Sequence, residues 1–254
     1  MSNPVFFATP EDLASAVPGG SVMLTGPEAR HAATVKRLAA GEGVDLVDEH
    51  GTRVTGTVES AHGDELVVTV AHVHREPAPA PRIVLVQALA KGDRDEQAIE
   101  SATELGVDGV LPWQADRSIV RWRGDRAAKA LAKWRSVVRA AAKQSRRSRT
   151  PAVEDPVDTA GLVRRIARAS HAYILHEDAA ESLSLRLGDE VGGTEAQDAE
   201  ILLIVGPEGG ISPEEVSKFR EAGAKTALLG PHVLRSSSAG PAAIVVASTV
   251  LGRW

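Results

Sequence analysis

Cysteine and long apolar runs are both absent from this chain of 254 residues. Without cysteine, the chain can form neither a disulfide nor a thiolate metal site, and a reducing cytoplasmic compartment is the expected location. The N-terminal stretch has no basic start, and no segment approaches the length of a membrane span. We therefore expect a soluble, cytoplasmic protein with no membrane partner, folded as one large domain or, preferably, two smaller ones.

Common catalytic signatures are missing as well. The sequence has no GxSxG elbow, no Walker-type lysine loop and no GxGxxG fingerprint, which excludes the commonest hydrolase, nucleotide-hydrolysing and dinucleotide-binding classes. His176, Glu177 and Asp178 are residue types that bind metals, but neighbours on an extended chain point in opposite directions. The sequence therefore predicts no metal site.

Positive charge is concentrated in one segment. The formal net charge is -5, yet residues 117–149 carry twelve Lys and Arg against a single acid, Asp125. Apolar residues at helical spacing predict a helix over Asp125–Ser145. A cationic stripe runs beside its apolar face: Arg135, Arg139, Lys143 and Arg146. Such a stripe is either a solvated helix face or a phosphate-binding surface, and charge alone leaves both interpretations open.

The N-terminal part reads mainly as short strands. The predicted strands are Val5–Phe7, Ser21–Leu24, Val44–Val47, Arg53–Val58 and Leu66–Val73. Thr25 and Glu28 have the spacing of a capping box, which predicts a helix over Glu28–Leu38. That helix carries His31, Lys36 and Arg37. Five short strands and a helix indicate a small β-barrel that binds a partner, and the proline-spaced connector after residue 76 marks its boundary.

Strands alternate with helices after this connector, which predicts a parallel sheet with helices on its faces. The predicted strands are Ile83–Ala88, Val107–Pro112, Ala172–Leu175, Ile201–Val205 and Thr226–Leu229. The predicted helices begin near Asp93, Asp125, Asp158 and Ser212, and a closing helix covers Ala242–Leu251, begun near Ser238 or Pro241. Residues 179–199, which are acidic and rich in Gly and Ser, are expected to form a surface loop.

Glycine-rich turns follow two of these strands. Gly206-Pro207 ends one strand and Gly230-Pro231 ends the next, and turns at the carboxyl ends of parallel strands form ligand crevices. Ser212 and Glu215 form a capping box with Pro213 at the first helical position. The turns are either ordinary tight connections or, with Leu175–Glu177, three loops that suit an adenosine-type ligand.

The ordered segments ALAKGDRDEQAIESATELGVDGVLPWQADRSIVRW, KWRSVVRAAAKQSRR, ILHE, IVGPEGGISPEEV and LGPHVLR resemble the ribosomal RNA small-subunit methyltransferase E family, which belongs to the SPOUT class. HAATVKRL at His31–Leu38 resembles its N-terminal module. The resemblance implies an α/β fold with a SPOUT-type parallel sheet and a C-terminal trefoil knot, plus a small N-terminal PUA-like β-barrel. The implied domains are an RNA-binding barrel over residues 1–76 and a methyltransferase domain over residues 77–254.

The resemblance also implies an activity: methylation of uracil N3 in 16S ribosomal RNA by a homodimer whose site borrows residues from both chains. It implies S-adenosylmethionine as methyl donor, with S-adenosylhomocysteine as product. The implied cofactor-binding residues are Leu175, His176, Glu177, Gly206, Pro207, Glu208, Gly209, Gly210, Leu229, Gly230, Val233 and Leu234. Two alternatives stay open, a SPOUT enzyme acting on tRNA or 23S rRNA and a non-enzymatic ribosome-assembly factor.

Arginines are the candidate catalytic residues, because a uracil N3 must lose its proton and a nearby cation favours the anion. Arg94 and Arg235 are expected to hold phosphate or base, although Arg235 could instead cap a helix or lie at a dimer interface. Ser236–Ser238 stands where the family usually has a Thr-Glu-Thr-like segment, so no general base is assigned. The predicted RNA-binding residues are His31, Lys36, Arg37, Lys91, Arg135, Arg139, Lys143 and Arg146.

Overall fold

The computed structural model describes residues 3–191 and 199–254. Its contacts divide the chain into two compact units. The first unit comprises Met1–Ala78 and Ala142–Thr150, and the second comprises Pro79–Ala141 and Pro151–Trp254. The chain thus passes between the units more than once, and its longest helix begins in the second unit and ends in the first.

A five-stranded sheet forms the first unit. Its strands are β1 (Val5–Phe7), β2 (Ser21–Thr25), β3 (Gly43–Val47), β4 (Thr52–His62) and β5 (Glu65–Arg75), in the order β1-β3-β4-β5-β2. The pair β1 and β3 is parallel, and the other pairs are antiparallel. Alternate residues of the strands, such as Val44, Leu46, Val54 and Leu66, meet in one buried cluster. This cluster is the main core of the unit, and Val5, Phe7 and Val47 form a smaller second cluster.

Helical segments of the first unit differ from the sequence prediction. The short helix α1 (Pro10–Ala14) was not predicted, and α2 (Pro27–Arg30) continues as a π-helical segment, His31–Lys36. The predicted capping box of Thr25 and Glu28 is not formed, because Gly26 is the N-cap residue of α2 and no side chain caps that helix. The Glu28 carboxylate instead accepts hydrogen bonds from the main chain of Phe7 and the ammonium of Lys143, so tertiary partners outcompete the local cap.

A seven-stranded sheet forms the second unit. Its strands are β6 (Arg82–Ala88), β7 (Gly109–Gln114), β8 (Ala152–Val153), β9 (Val157–Asp158), β10 (His171–Leu175), β11 (Glu200–Val205) and β12 (Lys225–Ala227). The order is β12-β10-β11-β6-β7-β8, with β9 also paired to β7, and every pair is parallel. The predicted parallel sheet is therefore confirmed.

Helices cover both faces of this sheet. They are α3 (Arg94–Glu104), α4 (Asp125–Gln144), α5 (Thr159–Ile166), α6 (Leu183–Val191), α7 (Pro213–Glu221) and α8 (Ser236–Val250). Ile83 and Leu85 of β6 pack in one core with residues of α3, α4, α6 and α8. Val84 and Val86 pack in a second core with residues of α5 and α7. Since successive residues of a strand point to opposite faces, an all-apolar strand is what a doubly covered sheet requires.

Two predictions in the C-terminal part are wrong. The segment 179–199, expected to be a loop, contains α6. Leu183, Leu187 and Val191 of this helix are buried at helical spacing, although the segment is acidic overall. Residues 192–198 lie outside the described part. The closing helix begins at Ser236 rather than near Ser238 or Pro241, and it includes Pro241. A proline in the second turn removes only one intrahelical hydrogen bond, so packing can carry the helix through it.

Candidate active site

A cavity of about 790 Å³ lies in the second unit, where the central parallel strands end. The loops that follow β10, β11 and β12 build its wall. Its volume is typical of small-molecule sites, which measure roughly 300–1,000 Å³. The lining includes all the residues predicted to bind the cofactor and both predicted catalytic arginines: Leu175, His176, Glu177, Gly206, Pro207, Glu208, Gly209, Gly210, Leu229, Gly230, Val233, Leu234, Arg94 and Arg235. The structure thus brings together residues from four separate segments, the three loops and the segment after β6 that carries Arg94.

The loop after β11, residues 206–210, is shaped by its glycines. A Cβ atom at Gly206 would approach Cγ1 of Ile211 to 2.6 Å, so no larger residue fits there without displacing that side chain. Gly210 has a φ of +72°, a conformation that glycine adopts without steric cost. The main-chain N–H of Gly210 closes the turn by donating to the carbonyl of Pro207 at 2.9 Å. Main-chain atoms therefore form much of this wall.

The predicted capping box at the start of α7 is confirmed. The main-chain N–H of Glu215 donates to Ser212 Oγ at 3.2 Å, and the Ser212 N–H donates to Glu215 Oε2 at 3.1 Å. Glu215 is fully buried, and its Oε1 accepts from the Asp116 N–H at 2.9 Å and from Thr159 Oγ1 at 2.7 Å. One carboxylate thus joins the start of α7, which follows the glycine loop, to the segment after β7 and to the start of α5.

Two arginines from neighbouring strand ends hold the glycine loop. Glu208 Oε1 accepts hydrogen bonds from the Lys91 N–H and from Arg94 Nη1, both at 3.1 Å. Arg117 Nη1 donates to the Gly209 carbonyl at 3.0 Å. Lys91 and Arg94 follow β6, which lies beside β11 in the sheet, so sheet order explains their approach. Burial alone would raise the pKa of Glu208, but main-chain hydrogen bonds and the charge of Arg94 outweigh it and lower that pKa.

Sequence reasoning missed Arg117 and the second histidine of the lining, His232. Arg117 follows β7 by a few residues, and the rule that strand ends share one edge of a parallel sheet could have placed it near the cavity. His232 lies between the predicted residues Gly230 and Val233 on the same loop. Both residues add polar groups to a lining that already contains Arg94, Glu208 and Arg235.

The wall that follows β12 contains a buried polar atom that has no protein partner. Ser236 Oγ is buried and, within the described residues, accepts and donates no hydrogen bond, although Ser236 lines the cavity. Val233, on the same wall, is 76% exposed. The loop is fastened at its other end, where the His176 N–H donates to the Ala227 carbonyl at 3.1 Å. An orphaned polar atom at a cavity wall indicates a ligand or water that would satisfy it.

Arg235 precedes α8, but its side chain does not cap the helix. Arg235 occupies the N-cap position, and its main-chain carbonyl, not its guanidinium, accepts from the first turn of the helix. The residue is exposed and lines the cavity, and nothing in residues 3–191 and 199–254 forms a hydrogen bond or ion pair with its guanidinium. Unlike Arg94, it offers an uncompensated positive charge to whatever enters the cavity.

Comparison with known proteins shows the family of this chain. A profile of the RNA methyltransferase domain matches residues 76–248, and a profile of the RNA methyltransferase PUA domain matches residues 24–71. A ribosomal RNA small subunit methyltransferase E from Mycobacterium bovis is 40% identical over 240 residues, which are 93% of this chain and 89% of that protein. This chain belongs to the ribosomal RNA small subunit methyltransferase E family. The predicted family and the predicted α/β fold class with a PUA-like module are confirmed.

Solved structures of the family share the fold. The small subunit methyltransferase E of Neisseria gonorrhoeae, solved with bound S-adenosyl methionine, is 27% identical with a TM-score of 0.78, covering 98% of each chain. A putative methyltransferase of Legionella pneumophila, also in complex with that cofactor, is 26% identical with a TM-score of 0.78, again covering 98% of each chain. The similarity extends over both units of this chain rather than over one domain.

The predicted RNA-binding residues of α4 and its C-terminal extension lie in different surroundings. Arg135 and Arg139 are exposed, and Arg135 Nη2 lies 3.4 Å from Asp155 Oδ1. Lys143 is largely covered: its ammonium lies 2.6 Å from Glu28 Oε2 and over the rings of Phe6 and Phe7. Lys143 therefore stabilises the first unit. Arg146 is exposed, at a φ of 60°.

The remaining predicted RNA-binding residues lie on two segments of the chain, one in each unit. His31, in the π-helical segment, is half-buried, with its ring edge-on to Phe6 at 5.9 Å between centroids. Lys36 and Arg37 are exposed, and Arg37 ends that segment with a φ of 53°. Lys91 is exposed, and its main-chain N–H donates to Glu208 Oε1. Lys91 is thus hydrogen-bonded to a residue of the cavity lining.

The described residues contain neither a metal-binding cluster nor a membrane-spanning helix. In residues 3–191 and 199–254, no three side chains of His, Cys, Asp or Glu are grouped so that they could hold a metal ion. Over the same residues, no helix has the length and apolar character needed to cross a bilayer.

Proposed function

We propose that this chain is a cytoplasmic S-adenosylmethionine-dependent methyltransferase that acts on uracil N3 of a uridine in 16S ribosomal RNA. The observation that carries the proposal is the cavity at the ends of β10, β11 and β12, in a chain that belongs to the small subunit methyltransferase E family. Relatives of known structure bind S-adenosyl methionine. The homodimer and the C-terminal trefoil knot are parts of the same proposal.

The residues of the cavity fit the methyl donor. Leu175, Leu229 and Val233 supply apolar surface for an adenine ring, and the glycine loop supplies main-chain donors and acceptors. A Cβ atom at Gly230 would meet no atom within 4 Å, so open space lies beside the main chain there. Ser236 Oγ needs a partner. When bound, S-adenosylmethionine supplies a methyl group on a cationic sulfur that transfers directly to a nucleophilic nitrogen.

The chain itself must then hold the uracil with N3 in line with that methyl group, and the N3 proton passes to water because no protein base is assigned. In-line transfer depends on positioning, which rigid loops provide. The guanidinium of Arg235 lies at the cavity wall without a compensating acid in the described part of the chain, so it favours the N3 anion. Because N3 is paired in a duplex, the target uridine is unpaired or flipped out.

RNA contacts outside the cavity belong to the exposed cations. Lys36 and Arg37 of the first unit and Arg135, Arg139 and Arg146 remain candidates for phosphate contact. His31 is a candidate for an edge contact, whereas Lys143 is committed to Glu28. The proposal assigns RNA binding to residues 1–76 and methyl transfer to residues 77–254.

The decisive experiment is methylation of 16S ribosomal RNA isolated from a strain that lacks this protein. The purified protein is incubated with that RNA and labelled S-adenosylmethionine, and the product nucleosides are separated. We expect 3-methyluridine. A different labelled nucleoside would assign the enzyme to another target, and so would label in tRNA or 23S rRNA of the same strain, incubated in parallel, while 16S rRNA stays unlabelled. Calorimetry that detects no binding of S-adenosylmethionine would favour a non-enzymatic assembly factor.

A further inference from the structure

The loop between β6 and α3 is built to bind anions. The successive main-chain N–H groups of Ala90 and Lys91 each donate to a carboxylate, Ala90 to Asp95 at 3.3 Å and Lys91 to Glu208 at 3.1 Å. Asp95 is buried and follows in the same segment, so its bond is part of the local fold. Glu208 comes from the distant glycine loop, and Arg94 adds a guanidinium to the same oxygen at 3.1 Å. A main-chain donor and an arginine converging on one oxygen make an anion site.

The occupant of this site can be exchanged with solvent or ligand. The side chains of Arg94 and Glu208 are 49% and 24% exposed, and both line the cavity. Ion pairs this exposed contribute little, because water and salt screen them. A phosphodiester carries the same charge as a carboxylate and offers oxygens that pair well with arginine. Replacement of the Glu208 carboxylate by a phosphodiester at this site is therefore close to neutral in free energy.

We infer that Glu208 occupies a phosphate-binding site, formed by the Lys91 N–H and the Arg94 guanidinium, that takes a backbone phosphate of the RNA substrate. This inference rests on the proposed function, which brings RNA to the cavity. It reconciles two facts about Arg94, its position on the cavity wall and its pairing with an internal acid. Glu208 keeps the arginine oriented in the free enzyme and releases it when RNA arrives.

The test is a double-mutant cycle on RNA affinity. The Glu208→Gln side chain keeps its size and an oxygen that accepts from Lys91, but it loses the charge that competes with phosphate. Its Kd for a uridine-containing single-stranded RNA, measured with saturating S-adenosylhomocysteine, should fall by about twofold to fivefold. In an Arg94→Gln background, the same change at Glu208 should have no effect, because the phosphate has lost its arginine.

A matched control separates exchange at this site from the general effect of removing a negative charge. Glu177 is exposed and lines the same cavity, and no arginine in the described residues pairs with it. Any gain from Glu177→Gln should persist unchanged in the Arg94→Gln background. If the gain from Glu208→Gln also persists there, or if no gain occurs, the inference is overturned.

Two further readouts identify the anion and keep the inference distinct from the proposed function. Coupling between Arg94 and Glu208 that appears in S-adenosylmethionine affinity, and not in RNA affinity, would assign the site to the carboxylate of the cofactor and overturn the inference. Methylation by the wild-type protein tests the proposed function separately. Coupling in RNA affinity without formation of 3-methyluridine would refute the proposed reaction and leave the phosphate site standing.

Discussion

Two walls of the cavity carry arginines, and the walls differ in what those arginines contact. Arg94 and Arg117 both hold the glycine loop, one through the Glu208 carboxylate and the other through the Gly209 carbonyl. Arg235, on the wall after β12, makes no such contact with any described residue. The same side chain therefore braces a loop in one place and stays available to a ligand in another. The difference lies in partners, which only the folded chain supplies.

The largest expected effect comes from removing the buried carboxylate of Glu215, which fixes the start of α7 behind the glycine loop. Glu215→Ala deletes hydrogen bonds to Ser212, Asp116 and Thr159 from a fully buried group. We expect a loss of about 3 kcal/mol in the free energy of unfolding, because charged hydrogen bonds and a helix cap disappear together. Denaturant unfolding measures it. The neighbouring exposed Glu214→Ala should lose less than about 1 kcal/mol; equal losses would show that the buried network does not brace the loop.

Arg235→Ala should reduce the rate of methyl transfer without weakening the fold. If its guanidinium stabilises the uracil anion, the single-turnover rate should fall about 100-fold at saturating substrates, the usual cost of one electrostatic contact to a developing charge. The free energy of unfolding and the affinity for S-adenosylmethionine should stay within about 0.5 kcal/mol of wild type. Arg168→Ala, an exposed arginine outside the cavity lining, is the control. A variant that loses cofactor affinity and keeps its rate would make Arg235 a brace like the other two.

Arg117→Ala should show the reverse pattern. Its loss frees the Gly209 carbonyl, so the glycine loop is less ordered before the cofactor binds. One neutral acceptor is worth about 1 kcal/mol, which corresponds to about a fivefold weaker affinity for S-adenosylmethionine. The single-turnover rate at saturating cofactor should change little. Arg123→Ala, exposed in the same connection between β7 and α4, should leave the affinity unchanged; a slower chemical step in Arg117→Ala would move that residue to the catalytic group.

The same contrast shows what the sequence could predict. Glycine turns and a capping box are local, so the loops at Gly206–Gly210 and Leu229–Leu234 could be located before the fold was known. Alternating strands and helices likewise predicted the parallel sheet. The neighbours of each loop depend on sheet order: β6 pairs with β11 although more than a hundred residues separate them. The pairing of Arg94 with Glu208 and the role of Arg117 follow from that order, which no local pattern records.

Errors at the periphery have the same origin. Glu28 had the spacing of a helix cap, but Phe7 and Lys143 offered it better partners. In the predicted cationic stripe of α4, the ammonium of Lys143 contacts Glu28 and the ring of Phe6, and no local pattern predicts those contacts; phosphate binding by the stripe stays a prediction. The helix α6 was hidden because its three buried positions are diluted by acids, Gly and Ser. In each case a tertiary contact decided between structures that the sequence left close in energy.

The smallest expected effect is on the pH dependence of the free energy of unfolding, and it comes from the ion pair of Arg94 with Glu208. The folded-state pKa of Glu208 is lowered below its ordinary value of 4.5, with hydrogen bonds and Arg94 outweighing the opposing effect of burial. A lowered pKa means that the stabilisation is fully present above the ordinary value and is lost as the pH falls through the folded-state value. Because both partners are partly exposed, we expect less than about 1 kcal/mol. The free energy of unfolding is measured from neutral to acid pH. The Glu208→Gln variant should lose that part of the pH dependence, and the Arg235→Ala variant should retain it. An identical pH profile in Glu208→Gln and wild type would mean that the ion pair does not persist in solution. Arg94 would then be as free to bind a ligand as Arg235, and the contrast between the two arginines would be lost.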